Sequence, residues 1–326
     1  MKRFSNILFV ADDELEASAG LDRALKLAHH NDASLTVVDV VEAIPKGMQM
    51  GITAITPEEL AEVAVSDRRE ELQTAVNAAR ERGHDIEVKI LVGSIFLEII
   101  RQVIRNQHDL VIKCAETSAT LTESLFGSTD MHLLRKCPCP VWLIKSSNRD
   151  HFKRVLAALD WDDGDPNKIE LNNTILEIAT SLAMSESEEL HIAHAWEFIG
   201  EDIFRSQRTN ATAAEVDAMI LEEEKRRRHW LETLIEGPGA SYKKAIDYLK
   251  PELHCPKGTA RQAIPTIIKE LDVELVVMGT IGRTGIPGFF MGNTAESILN
   301  QIDCSVLALN PPGFESPVTL DRGSPI

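Results

Sequence analysis

Leu275-Val276-Val277-Met278-Gly279-Thr280-Ile281-Gly282 is an apolar run that leads into two glycines, and Gly292-Asn293-Thr294 follows after nine intervening residues. Short apolar runs without alternation are typical of strands that helices cover on both faces, as in parallel sheets. A strand that passes through glycines to a helix start brings backbone N–H groups close to a phosphate in many α/β proteins. The alternative is a plain glycine-rich loop, which the position between a strand and a helix disfavours.

The segment has an ungapped counterpart 165 residues upstream. There, Leu110-Val111-Ile112-Lys113 precedes Cys114, Thr117 and Gly127, so only the third of the three glycines is kept. The chain is therefore predicted to contain two copies of one unit, of which the second keeps the complete glycine pattern.

Each copy is predicted to contain five strands that alternate with helices, which indicates an α/β fold with a doubly wound parallel sheet. Ligands of such sheets bind beyond the carboxyl ends of the strands. We expect domains at 1–147 and 152–310 and a mobile tail at 311–326. The strands are predicted near Ile7–Val10, Leu35–Val41, Val88–Val92, Leu110–Ile112 and Val141–Ile144, and near Val155–Leu159, Leu190–Trp196, Leu253–Cys255, Leu275–Met278 and Val306–Leu309.

The net charge of −17 disfavours nucleic acid or an anionic membrane as a partner, because such a field repels phosphates at long range. One nucleotide stays compatible with it, since local N–H groups act within a Debye length of about 8 Å. Five cysteines suit a reducing cytoplasm rather than a disulfide framework. The sequence predicts neither a membrane helix nor an export signal.

Catalytic and metal-binding patterns are weak in this sequence. His191 and His194 lie three apart on a predicted strand, which sends their side chains to opposite faces and disfavours a shared metal. Glu223 and Arg227 are spaced for an ion pair on a predicted helix, which favours a solvated helix face. We assign no catalytic residue and no metal ligand from the sequence.

The glycine pattern resembles that of the universal stress protein family, whose nucleotide-binding members carry G-x2-G-x9-G-(S/T). Two copies in tandem resemble the two-domain type of that family. The resemblance implies a Rossmann-like fold of the HUP or adenine nucleotide alpha hydrolase-like kind, with two five-stranded parallel sheets. It also implies that the domains pair as an internal pseudo-dimer, Val141–Ile144 against Val306–Leu309. Further matching segments are His108–Lys113, Leu133–Pro138 and Gly292–Glu296.

The resemblance implies that the second copy binds ATP or a related adenine nucleotide, with Mg²⁺ as a candidate companion ion. Asp160 and the Ala195 backbone would meet adenine, 278–282 the ribose and phosphates, and 292–294 the phosphate end. Asn293 departs from the family pattern, which has serine or threonine there. The implied set is Ala158, Asp160, Ala195, Met278, Gly279, Ile281, Gly282, Arg283, Gly292, Asn293 and Thr294.

The family also implies a cytoplasmic role in stress tolerance, including resistance to DNA damage. We expect a non-enzymatic protein that signals by conformational change. The alternative is a slow ATPase or self-phosphorylating protein, with Thr280, Thr284 or Thr294 as the modified residue. The first copy is expected to bind no such nucleotide, and another small molecule or a protein partner is the alternative there. A further homodimer is compatible with the family pattern.

Overall fold

The computed structural model describes residues 3–11, 19–43, 56–116, 126–145, 151–206, 210–237, 241–280 and 291–320. The described residues group into two compact units. The first comprises 3–145, Met291 and 305–320, and the second comprises 151–280 and 292–304, with the gaps given above.

The first unit is an α/β structure with one central sheet. Its strands are β1 (Asn6–Val10), β2 (Ser34–Val41), β3 (Ile86–Val92), β4 (Leu110–Cys114), β5 (Val141–Ile144) and β10 (Ser305–Leu309). Its helices are α1 (Ala19–Asn31), α2 (Pro57–Glu81), α3 (Ile95–Asn106) and α4 (Ser128–Lys136). The strands lie in the order β3-β2-β1-β4-β5-β10, and β1 to β5 are parallel.

Strand β10 joins this sheet antiparallel to β5, with Val306 opposite Leu143 and Ala308 opposite Val141. The predicted pairing of these two segments is therefore confirmed. The pairing of β5 with β10 is antiparallel, whereas β1 to β5 lie parallel as predicted. An antiparallel neighbour needs only main-chain hydrogen bonds in register, so the last strand of the chain can complete a sheet begun by the first copy.

The second unit repeats the α/β architecture. Its strands are β6 (Phe152–Ala158), β7 (Ser187–Ala193), β8 (Glu252–His254) and β9 (Leu275–Gly279), and they lie parallel in the order β9-β6-β7-β8. Its helices are α5 (Pro166–Glu186), α6 (Glu201–Arg205), α7 (Ala213–Glu236), α8 (Lys243–Leu249), α9 (Ala260–Glu270) and α10 (Asn293–Leu299). Because β6 lies between β7 and β9, the strand order reverses between β6 and β9.

The central strands are buried on both faces, as their unbroken apolar runs predict. Val155, Leu156 and Ala157 are consecutive in β6 and each is 0% exposed. Neighbouring residues of a strand point to opposite sides, so burial of three in a row requires cover on both sides of the sheet. Among the described helices, not one has both the length and the apolar composition that a bilayer span needs.

Residues 311–320, expected as part of a mobile tail, are anchored to the first unit. Ser316 Oγ donates a hydrogen bond to the Lys136 carbonyl at 2.6 Å, and Arg101 Nε donates to the Thr319 carbonyl at 3.4 Å. Just before this stretch, the Asn310 side chain donates to the Cys137 carbonyl at 2.7 Å. The prediction missed these contacts because they join segments more than 170 residues apart, and local composition carries no sign of them. Residues 321–326 lie outside the described residues.

Candidate functional site

Three predicted site residues, Ala158, Met278 and Gly279, lie at the carboxyl ends of β6 and β9 in the second unit. Ala158, the last residue of β6, is in register with Met278 of β9 on one side and with Ala193 of β7 on the other. Met278 is 5% exposed, so its side chain is buried at this edge of the sheet. Since strand order reverses between β6 and β9, the edge is the place where doubly wound sheets leave a crevice for a ligand.

Asp160 lies two residues beyond β6 and is held by the first turns of α5. The Asn172 side chain donates to the Asp160 carbonyl at 2.7 Å and accepts from the Asp160 N–H at 3.3 Å. Lys168 Nζ donates to Asp160 Oδ2 at 3.0 Å. The side chain of Asp160 is 62% exposed, so its carboxylate still faces solvent while its backbone groups are already paired.

Ala195 lies two residues beyond β7, half-buried, where the backbone continues next to the end of β8. On either side of it, the His194 N–H donates to the His254 carbonyl at 2.9 Å and the Trp196 N–H donates to the Pro256 carbonyl at 3.1 Å. The expected strand through Trp196 therefore ends earlier, at Ala193, and only an isolated bridge from Trp196 to Lys257 follows. These bonds fix the backbone at Ala195.

Gly279 ends β9, as predicted, but its missing side chain has a packing role. A Cβ placed on Gly279 would lie 2.9 Å from Leu171 Cδ2 of α5. Leu171 is itself buried, and a contact that close requires one of the two groups to move. A side chain at this position would therefore require Leu171 of α5 to move, whatever the site binds.

A backbone hydrogen bond joins the described residues on either side of 281–290. The Gly292 N–H donates to the Thr280 carbonyl at 2.9 Å, and Gly292 is the N-cap residue of α10. Asn293 and Thr294 are the first two residues of that helix and both are exposed. Thr280 is 3% exposed, so its hydroxyl is buried. The predicted residues Ile281, Gly282, Arg283 and Thr284 lie outside the described residues.

An aromatic and cationic cluster next to Asp160 was not predicted from the sequence. Trp161 follows Asp160 directly, and its ring centroid lies 5.2 Å from that of Trp230 on α7. The guanidinium carbon of Arg227 lies 4.0 Å from the Trp161 ring centroid, and Arg227 is also paired with Glu223. The Arg227 side chain is only 16% exposed, so the expectation of a solvated helix face is wrong at this position. The available signal was Trp161 itself, one of four tryptophans, adjacent to a predicted site residue.

His194 completes this cluster as a buried neutral imidazole. Its ring centroid lies 4.9 Å from that of Trp230, and its Nδ1 lies 3.3 Å from the Leu159 carbonyl. Because a carbonyl only accepts, Nδ1 carries the proton and Nε2 does not. Burial lowers the pKa of His194 below the usual histidine value. The ring therefore stays uncharged beside Arg227 at neutral pH.

The corresponding edge of the first unit carries a buried ion pair. Lys113 Nζ donates to Asp130 Oδ1 at 3.0 Å, and the two side chains are 8% and 0% exposed. Asp130 Oδ2 accepts from the Glu116 N–H at 2.8 Å and from the Gly127 N–H at 3.3 Å. Burial raises the pKa of Asp130, and the positive charge of Lys113 partly offsets that effect.

Glu116 lies against Gly127 in this first unit. A Cβ on Gly127 would overlap the Glu116 carboxylate and come within 2.6 Å of the Glu116 Cβ. Gly127 is the N-cap residue of α4, the position that Gly292 has in the second copy. The Glu116 carboxylate therefore lies next to Gly127, the only glycine of the G-x2-G-x9-G pattern that the first copy retains.

Comparison with known proteins identifies the class to which this fold and this edge belong. The model of the Universal stress protein family matches residues 3–145 and again 151–310. The chain therefore belongs to the universal stress protein family, with two family domains in tandem, which confirms the resemblance predicted from the glycine pattern. It is 28% identical over 326 residues to universal stress protein E of Salmonella typhi, covering 98% of this chain and 99% of that protein. It is 26% identical over 317 residues to a universal stress protein E homolog of Haemophilus influenzae, covering 95% and 98%.

Solved structures of similar length share the fold. A functionally unknown protein from Pseudomonas aeruginosa PAO1 has a TM-score of 0.65 at 23% identity, over 95% of this chain and 94% of that chain. A universal stress protein from Archaeoglobus fulgidus DSM 4304 has a TM-score of 0.57 at 18% identity, over 94% and 96%. The predicted α/β fold with tandem domains is thereby confirmed.

Proposed function

We propose that the second unit binds ATP or a related adenine nucleotide at the carboxyl edge of β6, β7 and β9. The observation that carries this proposal is that residues implied by the family resemblance lie together at the ends of β6 and β9, where the strand order reverses. Ala158 is in register with Met278, and Asp160 follows β6 with an exposed carboxylate. Open parallel sheets bind their ligands at this place.

In the proposed complex, the end of β6 contacts the base of the nucleotide and the start of α10 contacts its phosphates. The Asp160 carboxylate can accept a hydrogen bond from the amino group of a base, because it is exposed and Lys168 occupies only one of its oxygens. Asn293 and Thr294 are exposed side-chain donors at the α10 end of the edge and would meet the phosphates. Asn293 can donate as serine or threonine does, through its amide.

Trp161 and Arg227 extend the proposed site. Trp161 is half-buried, adjacent to Asp160, and held from one side by the Arg227 guanidinium. An indole ring fixed in this way offers a flat apolar surface beside the carboxylate, which suits an aromatic base. We propose that this pair contributes to base recognition in addition to the residues of the glycine pattern.

The first unit is proposed not to bind such a nucleotide. Its corresponding edge is occupied by the Lys113–Asp130 ion pair and by the Glu116 carboxylate next to Gly127. The Glu116 carboxylate would repel a nucleotide phosphate at that position. Lys113, the cation that could offset this repulsion, is already paired with Asp130. The tandem chain would then contain one nucleotide site.

Mass spectrometry of the small molecules that co-purify with the protein tests this proposal. We expect an adenine nucleotide with the wild type at up to one equivalent per chain, much less with Gly282→Val, and an unchanged amount with Asp12→Ala. Asp12 is the matched control, because the segment Phe4–Asp12 aligns with Phe152–Asp160 at an offset of 148 residues. A nucleotide that persists in Gly282→Val and disappears in Asp12→Ala contradicts the proposal.

We further propose that nucleotide binding acts through conformation rather than catalysis, and that the protein contributes to stress tolerance in the cytoplasm, including resistance to DNA damage. The support is membership of the universal stress protein family. The alternative, ATP hydrolysis or self-phosphorylation, has Thr294 as its exposed described candidate, since Thr280 is buried. Incubation with γ-labelled ATP, with and without Mg²⁺, separates the two. Release or incorporation of label that Thr294→Val abolishes favours the alternative.

A further inference from the structure

The geometry points to a binding site for a divalent transition metal, of the zinc type, on strands β7 and β8 of the second unit. Its ligands are His191, Glu252 and His254. This site is separate from the proposed nucleotide chemistry and does not depend on it.

The strand register brings the three side chains together. His191 of β7 is paired with Glu252 of β8, and Ala193 is paired with His254 in the same parallel ladder. Glu252 and His254 are two residues apart on one strand, so they project from the same face of the sheet as each other. Paired residues of neighbouring strands share a face, so His191 projects there too. The arrangement could not be predicted from the sequence, because His191 and His254 are 63 positions apart.

The distances between the ligand atoms fit a metal centre. His191 Nδ1 lies 3.1 Å from His254 Nε2 and 3.7 Å from Glu252 Oε2. One ligand atom from each of the three residues lies within 4.8 Å of the other two. Two ligands that are each about 2.0–2.1 Å from a tetrahedral zinc ion lie about 3.3–3.4 Å apart. The two distances from His191 Nδ1 therefore lie within about 0.4 Å of this spacing.

The second ring nitrogen of His191 has the environment expected of a metal-bound histidine. His191 Nε2 is buried and lies 3.6 Å from Glu189 Oε2, so a small movement makes this contact a hydrogen bond. Glu189 is in turn held by Arg154, whose Nε donates to the same oxygen at 2.7 Å. Carboxylate partners of this kind fix the tautomer of a ligating histidine and leave its other nitrogen free for the metal.

Exposure around the site allows a metal ion to enter. His191 is buried at the base, His254 is half-buried, and Glu252 is exposed, with 68% of its side chain accessible. Strand β8 is the last strand in the order of this unit, so solvent reaches the cluster from the sheet edge. Two imidazoles and one carboxylate form a ligand set that zinc prefers, and water would complete the coordination.

A direct hydrogen bond between His191 and His254 is the competing explanation for their 3.1 Å separation. That bond needs one protonated and one unprotonated nitrogen and gives Glu252 no role. The two explanations differ in what Glu252→Gln does, because only the metal site uses the carboxylate charge.

Zinc titration of the full-length protein, freed of metal and nucleotide and followed with a chromophoric chelator, tests the site. We expect one zinc equivalent that is lost in His254→Gln and bound at least tenfold more weakly in Glu252→Gln. The control variant His229→Gln removes an exposed histidine of α7 in the same unit and should leave this equivalent unchanged. Cobalt(II) in place of zinc should give the visible absorption bands of a four- or five-coordinate site in the wild type and not in His254→Gln.

Thermal unfolding of the metal-free variants shows whether a loss of zinc binding comes from misfolding. Apo His254→Gln and Glu252→Gln should unfold within a few degrees of the apo wild type, while only the wild type and His229→Gln gain stability on zinc addition. Absence of zinc binding by the wild type at micromolar concentrations, or binding that both ligand variants retain, overturns the inference.

Discussion

Lys113 donates to Asp130 at 3.0 Å inside the first unit, at positions where the second copy has Met278 and Ala295. All four side chains are buried. One repeat therefore uses an ion pair and the other uses apolar contact at the same place in the fold. The apolar residues of the second copy leave the strand edge uncharged, whereas the ion pair of the first copy holds the start of α4 through Asp130.

This relationship predicts strong coupling between Lys113 and Asp130. Lys113→Met or Asp130→Ala alone should lower the free energy of unfolding by about 3–5 kcal/mol, because each leaves a buried charge without its partner. The double variant, which copies the second repeat, should be more stable than either single variant. Urea denaturation of all four proteins measures the coupling. Additive losses would show that the ion pair is energetically unimportant.

The contact between Gly279 and Leu171 predicts that Gly279→Ala destabilises the protein independently of any ligand. The added methyl group would lie 2.9 Å from Leu171 Cδ2, and overpacking of this kind costs about 1–3 kcal/mol. In a Leu171→Ala background the same substitution should cost clearly less. Equal losses in both backgrounds, measured by thermal unfolding without nucleotide, would contradict this account of Gly279.

The pKa of His194 predicts that stability falls with acidification. Because burial lowers the pKa of His194 in the folded protein, the unfolded chain takes up the proton more readily. Stability from this source is complete above the ordinary histidine pKa of about 6.5 and is lost as the pH falls through that value toward the lower folded pKa.

His194→Asn should reduce this pH dependence, because the asparagine amide can still donate to the Leu159 carbonyl and does not titrate. Free energies of unfolding at pH 7.5 and pH 5.5 are the measurement, and the difference between them should be smaller in the variant. His108 and His254 also have pKa values lowered by burial, so part of the dependence should remain. An unchanged difference in His194→Asn would exclude a contribution from this ring.

The cluster around Trp161 predicts a fluorescence response to nucleotide. A base next to the Trp161 indole should quench its emission, and the change should be lost in Trp161→Phe. Trp142, which is buried in the first unit, supplies an emission background that the ligand does not reach. Arg227→Lys should weaken nucleotide binding several-fold, since an ammonium group does not stack on the ring as a planar guanidinium does. Quenching that survives in Trp161→Phe would place the base elsewhere.

The sequence predicted the elements whose signals are local. Apolar runs such as Val141–Ile144 coincide with strands, and the offset of 165 aligned β4 of the first copy with β9 of the second. The predicted pairing of β5 with β10 came from family resemblance, because no local feature of Ser305–Leu309 specifies an antiparallel partner.

Contacts between distant segments could not be predicted. Arg227 was expected on a solvated face because its pairing with Glu223 satisfies helical spacing, yet its outer side packs on Trp161, 66 positions away in the sequence. The contact between His191 and His254 was missed for the same reason, because sheet register rather than sequence spacing brings the two side chains together. For Gly279, the pattern suggested approach to a ligand, and the described contact is with Leu171.

Calorimetric titration of ATP into the nucleotide-free, full-length protein tests the central claim most directly. The account predicts one site per chain, binding weakened at least tenfold by Asp160→Ala, and no change on the matched substitution Asp12→Ala. Two sites per chain, no heat at all, or a loss of binding confined to Asp12→Ala would contradict it.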